Sequence, residues 1–229
     1  MEEYLPKPIT KNSMEIILDQ MTNSLCWINQ KEGNYEIGFL VHFKYENDHI
    51  PVLITKYNTL DNYNEKTLNI FLNNKEKNIK LGDKKYKNKD YDISIIEIIE
   101  DKNDNIKYLE IDENIFKNEL ELNYLNESIY VIQYDNKKNI SISFGLIKGM
   151  VKSKIYYSCN INSDYKYLII FNLSNNKIIG IQENNKNYYN KGRLIRDLIK
   201  TFFKENKNEI TLILYISGNK PPPDGYIFF

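Results

Sequence analysis

Few side chains in this 229-residue sequence could act as a nucleophile or a general base. The sequence contains two histidines, His42 and His49, and two cysteines, Cys26 and Cys159. A hydroxyl or thiol attacks a carbonyl only when a base within hydrogen-bond reach takes its proton. His42 lies in an apolar segment and His49 in a polar turn, so both are interpreted as structural or surface histidines rather than as bases.

The remaining candidates are equally isolated. Cys159 could be a thiolate nucleophile, but Tyr157–Cys159 is typical of a strand, and a buried cysteine is the simpler interpretation. The pair Ser163-Asp164 has no flanking glycine and no identified base. Two separate histidines and two distant cysteines do not make a metal site, and no glycine-rich phosphate loop is present. The sequence therefore predicts neither a metal nor a cofactor.

One stretch has the form of a buried strand that leads into a short polar turn. Pro51–Leu60 reads PVLITKYNTL, an apolar strand followed by a polar turn at 56–58. Further on, Asp92 precedes the apolar run Ile93–Ile96, and Lys177–Gln182 reads KIIGIQ.

In this order these stretches resemble the trypsin-like (chymotrypsin-fold) serine peptidases. The resemblance is strongest to the intracellular, cysteine-poor, glutamyl-endopeptidase-like branch, and it covers roughly 16–203. The matching segments are Gly38-Phe39-Leu40, Val52–Leu60, Asp92–Ile96, Ile129–Tyr134, Ser143–Ile147, Asn176–Ile181 and Asn190-Lys191-Gly192.

The resemblance implies a catalytic triad, and most of it is replaced in this sequence. Asp92 matches the aspartate that orients the histidine, but Asn58 stands at the histidine position and Leu168 at the nucleophile position. An amide cannot take a proton near neutral pH, and a leucine has no attacking atom. Lys166-Tyr167 occupies the turn that needs glycines to build an oxyanion hole. Gln182 replaces the histidine that binds an acidic substrate side chain in that branch.

Asp92 also has a purely structural interpretation. A short carboxylate at the head of a buried strand can be retained because it accepts backbone N–H bonds. Both interpretations remain open on the sequence alone.

The hydrophobic pattern predicts an all-β, two-barrel trypsin-like fold with a short N-terminal helix and a C-terminal helix. Asn12 with Glu15 has the form of a helix start, and an apolar stripe runs from Met14 to Leu25. This stripe predicts a short amphipathic helix lying on the core, with partner binding as the alternative. A helix follows Gly192, and Glu209–Ser217 is predicted as a further strand. The predicted strands are Leu25–Asn29, Tyr35–Phe43, Val52–Thr55, Thr67–Leu72, Asn78–Leu81, Ile93–Ile98, Ser128–Gln133, Ile140–Ile147, Tyr167–Asn172 and Lys177–Gln182.

The domain organisation follows from these elements. We expect an N-terminal arm and helix over 1–24, a first barrel over 25–120, a second barrel with the C-terminal helix and strand over 121–217, and a Pro/Gly tail over 218–229. The polar stretch 100–125 is interpreted as the linker between the barrels. The tail's Pro221-Pro222-Pro223 could be a polyproline ligand, but a plain tail is the simpler interpretation.

Composition limits the partners. Net charge is zero, with 31 basic and 31 acidic residues, and no block of like charge stands out. This argues against nucleic acid and anionic membranes as partners. No signal peptide or membrane span is evident, and two cysteines are too few for a disulfide framework, so we expect a soluble, cytoplasmic protein. The sequence has only 9 glycines and as many as 19 tyrosines. A gene rich in A and T would explain this composition, and so would the relaxation of tight glycine turns around a catalytic site; both explanations can hold.

The expected function is that of a catalytically inactive peptidase homologue that binds or regulates a protein or peptide partner. The tyrosine-containing loop Asn184–Tyr189 is a candidate contact surface, although coding bias explains it as well. Two alternatives stay open: an active serine-type endopeptidase with an unrecognised site, and a structural module of a larger assembly.

Overall fold

The protein is described by a computed structural model over residues 5–30, 35–61, 66–101, 105–117, 123–134, 139–161, 169–183 and 190–216. In the last segment, side chains are described as far as residue 206. The stretches Ser163–Leu168, Asn184–Tyr189 and 218–229, which carry several sequence-based predictions, lie outside these residues.

The described residues form twelve strands. Those of the first barrel are β1 (Leu25–Asn29), β2 (Tyr35–Tyr45), β3 (Asp48–Lys56), β4 (Thr67–Leu72), β5 (Lys75–Asn88) and β6 (Ile93–Ile99). Those of the second are β7 (Ser128–Tyr134), β8 (Ile140–Val151), β9 (Lys154–Cys159), β10 (Ile169–Asn172), β11 (Lys177–Gln182) and β12 (Asn190–Leu194).

Each set of six antiparallel strands closes into a barrel. The orders are β1-β2-β3-β6-β5-β4 and β10-β11-β12-β9-β8-β7, so the two barrels are built from consecutive halves of the chain. This confirms the predicted all-β, two-barrel architecture. The predicted domain boundary near residue 120 lies in the connection between β6 and β7 and stays a prediction.

The ten predicted strands overlap observed ones, but two strands were missed wholly or in part. β12 reads NKGRL and has no apolar alternation; it becomes a strand because it pairs with β11 on one side and β9 on the other. β9 extends from Lys154, whereas the sequence indicates only its last three residues. β5 is much longer than the predicted Asn78–Leu81. Of the predicted Tyr167–Asn172, the described part begins at Ile169.

The N-terminal helix α1 (Lys11–Asn23) begins two residues earlier than its predicted cap allows. Thr10, not Asn12, caps it, because the Thr10 hydroxyl accepts a hydrogen bond from the Ser13 N–H at 3.1 Å. The prediction that one apolar stripe lies on the core is also wrong in part. Ile17 is fully buried, whereas Met14 and Leu18 are exposed.

The C-terminal helix α2 (Ile195–Ile216) includes residues 209–216 of the predicted strand Glu209–Ser217, and over these residues that prediction is wrong. The β-branched residues in ITLILYI favoured a strand. A helix already formed over the preceding turns adds residues cheaply, however, and no Gly or Pro interrupts the sequence before Gly218. The earlier turns are fixed by packing, since the Phe202 ring meets Phe43 of β2 edge-on at 5.6 Å.

Two hydrophobic clusters fill the molecule. The smaller one lies within the first barrel and contains Leu40, Leu53 and Ile70. The larger one joins alternate residues of β2 and β3 to α2 and to the second barrel. The outer face of the first barrel is therefore part of a shared core, and the barrels pack through it. Among the described residues, no helix is both long and apolar enough to cross a membrane.

The connection between the barrels is tied to both of them. The Leu109 N–H donates to Leu40 O at 2.8 Å, and the His42 N–H donates to Leu109 O at 3.0 Å. Two residues further on, Ile111 bridges to Ile178 of β11 in the second barrel. The sequence suggested a polar linker, and this segment makes one isolated β-bridge to each barrel.

A buried carboxylate fixes the end of this connection. Asp112 is 1% exposed and caps the 3-10 helix Glu113–Phe116. Its oxygens accept hydrogen bonds from the Asn114 N–H at 3.1 Å, the Tyr124 hydroxyl at 2.8 Å and the Asn172 amide at 3.0 Å. Burial alone would raise the pKa of Asp112, but these hydrogen bonds outweigh it and hold the pKa below its ordinary value. Asp112 therefore remains charged and anchors the connection to β10.

Candidate functional site

Asn58 and Asp92 meet at one end of the first barrel because β3 and β6 are neighbours. β3 ends at Lys56, and the turn that follows begins with Tyr57, whose N–H donates to the backbone oxygen of Asp92 at 3.1 Å. The sequence-predicted histidine and aspartate positions are thus adjacent. The side chain at the histidine position is an exposed amide, Asn58.

Asp92 has a left-handed backbone, with φ 50°. Its N–H donates to Lys89 O at 3.1 Å, which closes the turn before β6. Short polar residues tolerate this conformation. The hydrogen bonds that Asp92 makes within the described residues are made by its backbone and not by its carboxylate.

The end of β7, in the second barrel, lies near this turn. Tyr134 is 5% exposed, and its ring meets Trp27 of β1 edge-on at 5.8 Å. Burial raises the pKa of the Tyr134 hydroxyl, and the carboxylates of Glu36 and Asp92 raise it further. This hydroxyl is buried without a hydrogen-bond partner in the described structure. Asp92 therefore lies near the aromatic contact between the barrels and near the neutral hydroxyl of Tyr134.

A cluster of charges on the second barrel lies beside the same turn. Glu183 accepts hydrogen bonds from Arg193 Nε at 3.0 Å and pairs with Lys191 Nζ at 2.8 Å. The Arg193 guanidinium lies 4.5 Å from the ring centre of Tyr91, the residue before Asp92. Burial would raise the pKa of Glu183, but its two cationic partners outweigh it and lower the pKa. The first barrel's turn is thus clamped to β12 by a cation–π contact.

The sequence analysis missed this charge cluster. One signal could have pointed to it: the 31 basic residues include just two arginines, and both fall in Arg193–Arg196. Arg is the cation suited to stacking and to paired hydrogen bonds, so the two arginines among many lysines are candidates for specific contacts.

The two histidines lie away from Asp92. His42 is in β2, and its ring stacks on Tyr108 of the connection at 5.2 Å. Partial burial lowers the pKa of His42. His49 is exposed and pairs with Lys44 across the β2–β3 hairpin. Both placements agree with the structural and surface roles predicted from the sequence.

The two cysteines are free thiols and are not activated. Burial raises the pKa of Cys26 to about 12 and that of Cys159 to about 12. Cys159 ends β9, and its sulfur lies 4.0 Å from Ser143 O. A reactive cysteine needs the opposite shift, because the thiolate is the nucleophile.

The remaining predicted site residues are only partly described. Leu168, Lys166-Tyr167 and Ser163-Asp164 lie outside the described residues. Gln182 ends β11 opposite Gly192, and its side-chain oxygen is buried without a hydrogen-bond partner in the described structure. The described residues contain no cluster of His, Cys, Asp and Glu side chains that could hold a metal ion.

Comparisons with known proteins bear on the fold. No protein-family model matches the sequence, and no curated protein matches it. Solved structures do match. The crystal structure of Deg5 aligns with a TM-score of 0.56 at 13% identity, covering 83% of this chain and 92% of that one. The inactive form of Rv3671c from M. tuberculosis H37Rv, a serine-to-alanine mutant, aligns with a TM-score of 0.56 at 10% identity, covering 87% and 94%. Both are trypsin-fold serine proteases. At these identities the likeness concerns the backbone, and this chain has the two-barrel trypsin-like fold.

Proposed function

We propose that this chain is a catalytically inactive homologue of the trypsin-like peptidases and that its cleft binds a protein or peptide segment without cutting it. One observation carries the proposal. The turn that contacts Asp92 presents Asn58 where a base is needed, while His42 and His49 are held elsewhere. An amide does not titrate near neutral pH, so no proton can be taken from a nucleophile at that position.

The surroundings of Asp92 support a binding role. The half-buried Trp27 and Tyr91 supply aromatic area near it, and such side chains contribute much contact surface at low entropic cost. The clamp between Arg193 and Tyr91 keeps the two barrels in one relative position, which pre-organises a cleft for a ligand. The two free cysteines fit our proposal that the protein works in the reducing cytoplasm.

Active-site probes test the proposal. The purified chain is treated with a fluorophosphonate and, separately, with iodoacetamide near pH 8, and its intact mass is measured. We expect no fluorophosphonate adduct. We also expect no alkylation in the native state, because thiols with pKa values of about 12 carry almost no thiolate at that pH. Alkylation of both cysteines in urea is the positive control. Stoichiometric labelling of one native residue together with peptide cleavage would establish the active hydrolase instead.

Restoring the two missing side chains is expected to give no peptidase activity. The variant Asn58→His/Leu168→Ser regains an imidazole and a hydroxyl, but Lys166-Tyr167 still stands at the sequence positions where the family resemblance implies the glycines of the oxyanion hole. Loss of a single oxyanion donor already lowers kcat by about 10²–10³. Release of a fluorogenic peptide should therefore stay at the level of the single variants. Clear turnover by the double variant alone would mean that the turn is already competent.

A further inference from the structure

Three separate elements enclose a cavity of about 410 Å³ on the surface of the protein. They are helix α1, the connection between the barrels and the turn that leads into β11. Volumes of about 300–1,000 Å³ are typical of small-molecule sites in proteins. The residues that line this cavity are not those described above around Asp92, so the cavity is a separate candidate binding site.

Two ion pairs line the cavity and join its three elements. Lys107 Nζ of the connection lies 2.7 Å from an Asp19 carboxylate oxygen of α1, and Lys177 Nζ of β11 lies 2.8 Å from a Glu110 carboxylate oxygen of the connection. The lysine partners hold the pKa values of Asp19 and Glu110 below their ordinary values, so both carboxylates stay charged near neutral pH. The cavity therefore presents two charges of each sign.

These four charged side chains are partly exposed and can change partners. Their exposed fractions run from 34% for Lys177 to 61% for Lys107. Ion pairs at such exposure contribute little to stability, so a ligand can replace one partner at small cost. A simple anion would meet two carboxylates and a simple cation would meet two ammonium groups. A ligand that carries one charge of each sign can satisfy both kinds of side chain.

A buried amide adds a hydrogen-bonding group to the cavity wall. Asn176 lines the cavity and is 6% exposed. The Gln20 amide of α1 donates to the Asn176 backbone oxygen at 2.7 Å and accepts a hydrogen bond from the Tyr130 hydroxyl at 2.7 Å, which fixes this wall. The side-chain oxygen of Asn176 is buried without a hydrogen-bond partner in the described structure. Rotation of this amide toward the cavity would bring the oxygen to an N–H group of a ligand.

We propose that this cavity binds a short peptide with both termini free. Lys107 and Glu110 are three residues apart, so their Cα atoms are separated by at most about 11 Å. An extended tripeptide has a similar length, which lets its carboxylate reach Lys107 while its ammonium group reaches Glu110. Its N–H groups would meet Asn176, and Tyr108 and Ile16 offer apolar area to its side chains. The proposal does not depend on the function proposed for the surroundings of Asp92.

Binding of defined peptides to the full chain tests the proposal. Trialanine is titrated at low ionic strength by isothermal titration calorimetry, alongside N-acetyl-trialanine, trialanine amide and free alanine. The acetyl group removes the ammonium charge and the amide removes the carboxylate charge, so each blocked peptide differs from trialanine by one charge. This comparison uses the unaltered protein and needs no variant.

We expect trialanine to bind with a Kd of about 1 mM or tighter and each blocked peptide to bind at least about fivefold more weakly. Free alanine should also bind more weakly than trialanine, because it is too short to reach both ion pairs. No binding of trialanine, equal binding of the free and blocked peptides, or equal binding of free alanine would each overturn the proposal.

Matched variants locate the binding. Asp19→Asn/Glu110→Gln removes the two carboxylates of the cavity, and the control Glu76→Gln/Asp83→Asn makes the same change in net charge on the exposed surface of β5. Circular dichroism checks that both variants are folded. Trialanine binding should weaken at least about fivefold in the first variant and change by less than about twofold in the control. Equal affinity of the two variants would place the peptide elsewhere and overturn the proposal.

Discussion

Replacing Gly145 by alanine is expected to unfold the second barrel or to lower its free energy of unfolding by at least about 3 kcal/mol. Gly145 of β8 lies opposite β9, and a Cβ added there would stand 1.4 Å from the backbone oxygen of Ser158. A backbone oxygen in a closed barrel cannot move away without breaking the β8–β9 pairing. Urea unfolding followed by circular dichroism measures the loss.

Gly149 supplies the matched control for this prediction. It lies in the same strand, and a Cβ added there would have no atom within 4 Å. Gly149→Ala should therefore leave stability unchanged or raise it by up to about 1 kcal/mol. If the two variants unfolded at the same urea concentration, the β8–β9 register described above would be wrong.

The second large effect is expected at Asp112. Asp112→Asn removes a buried charge and turns an N–H₂ group toward the donors Tyr124 and Asn172, which lose their acceptor. We expect a loss of about 3 kcal/mol in the free energy of unfolding, typical of a broken charge-assisted hydrogen-bond network. Asp83→Asn, on the exposed surface of β5, is the control and should change stability by no more than about 0.5 kcal/mol.

The pH dependence of stability gives an independent check on Asp112. Its folded pKa lies below the ordinary value of 3.8. Its contribution to stability is therefore complete above that value and is lost as the pH falls through the lower, folded pKa. Between pH 5 and pH 3 the wild type should lose more stability than Asp112→Asn. Parallel pH profiles for the two proteins would show that the carboxylate is not specifically stabilised.

These two sites matter for the proposed binding site because they fix the elements around it. β8 and β9 belong to the barrel that supplies Tyr134 and Arg193, and the connection ending at Asp112 ties that barrel to the one carrying Asn58. If the β8–β9 pairing at Gly145 or the hydrogen bonds of Asp112 were lost, the contacts of Trp27 with Tyr134 and of Arg193 with Tyr91 would lose their fixed geometry.

The sequence was most informative where alternation and turn residues agree. β4 and β11 have the predicted bounds, because each is flanked by asparagines that accept a left-handed backbone: Asn73 and Asn74 have φ 51° and 57°, and Asn176 has φ 57°. Adjacency of Asn58 and Asp92 was implied by the family resemblance and is explained by the β3–β6 pairing.

Other features depend on tertiary contacts that leave no local pattern. β12 forms because two neighbours pair with it, and α2 continues through a strand-like segment because nothing ends the helix. The Asp112 network joins residues 60 positions apart, and the Arg193–Tyr91 contact links the two barrels. Helix α1 was misread because the periodicity of Met14 and Leu18 does not say which face is covered.

The most direct test of a cleft that binds without cutting is to incubate the full chain with a defined peptide pool and analyse retained and released peptides by mass spectrometry. We predict that a subset of the peptides is retained intact and that no new peptide termini appear. Peptide retention should fall in the variant Asn58→Trp, which places a large side chain at the proposed binding site. It should not fall in the control Asn12→Trp, at an exposed position of helix α1. New termini that depend on the protein and disappear in Asp92→Asn would contradict the account, as would retention that Asn58→Trp leaves unchanged.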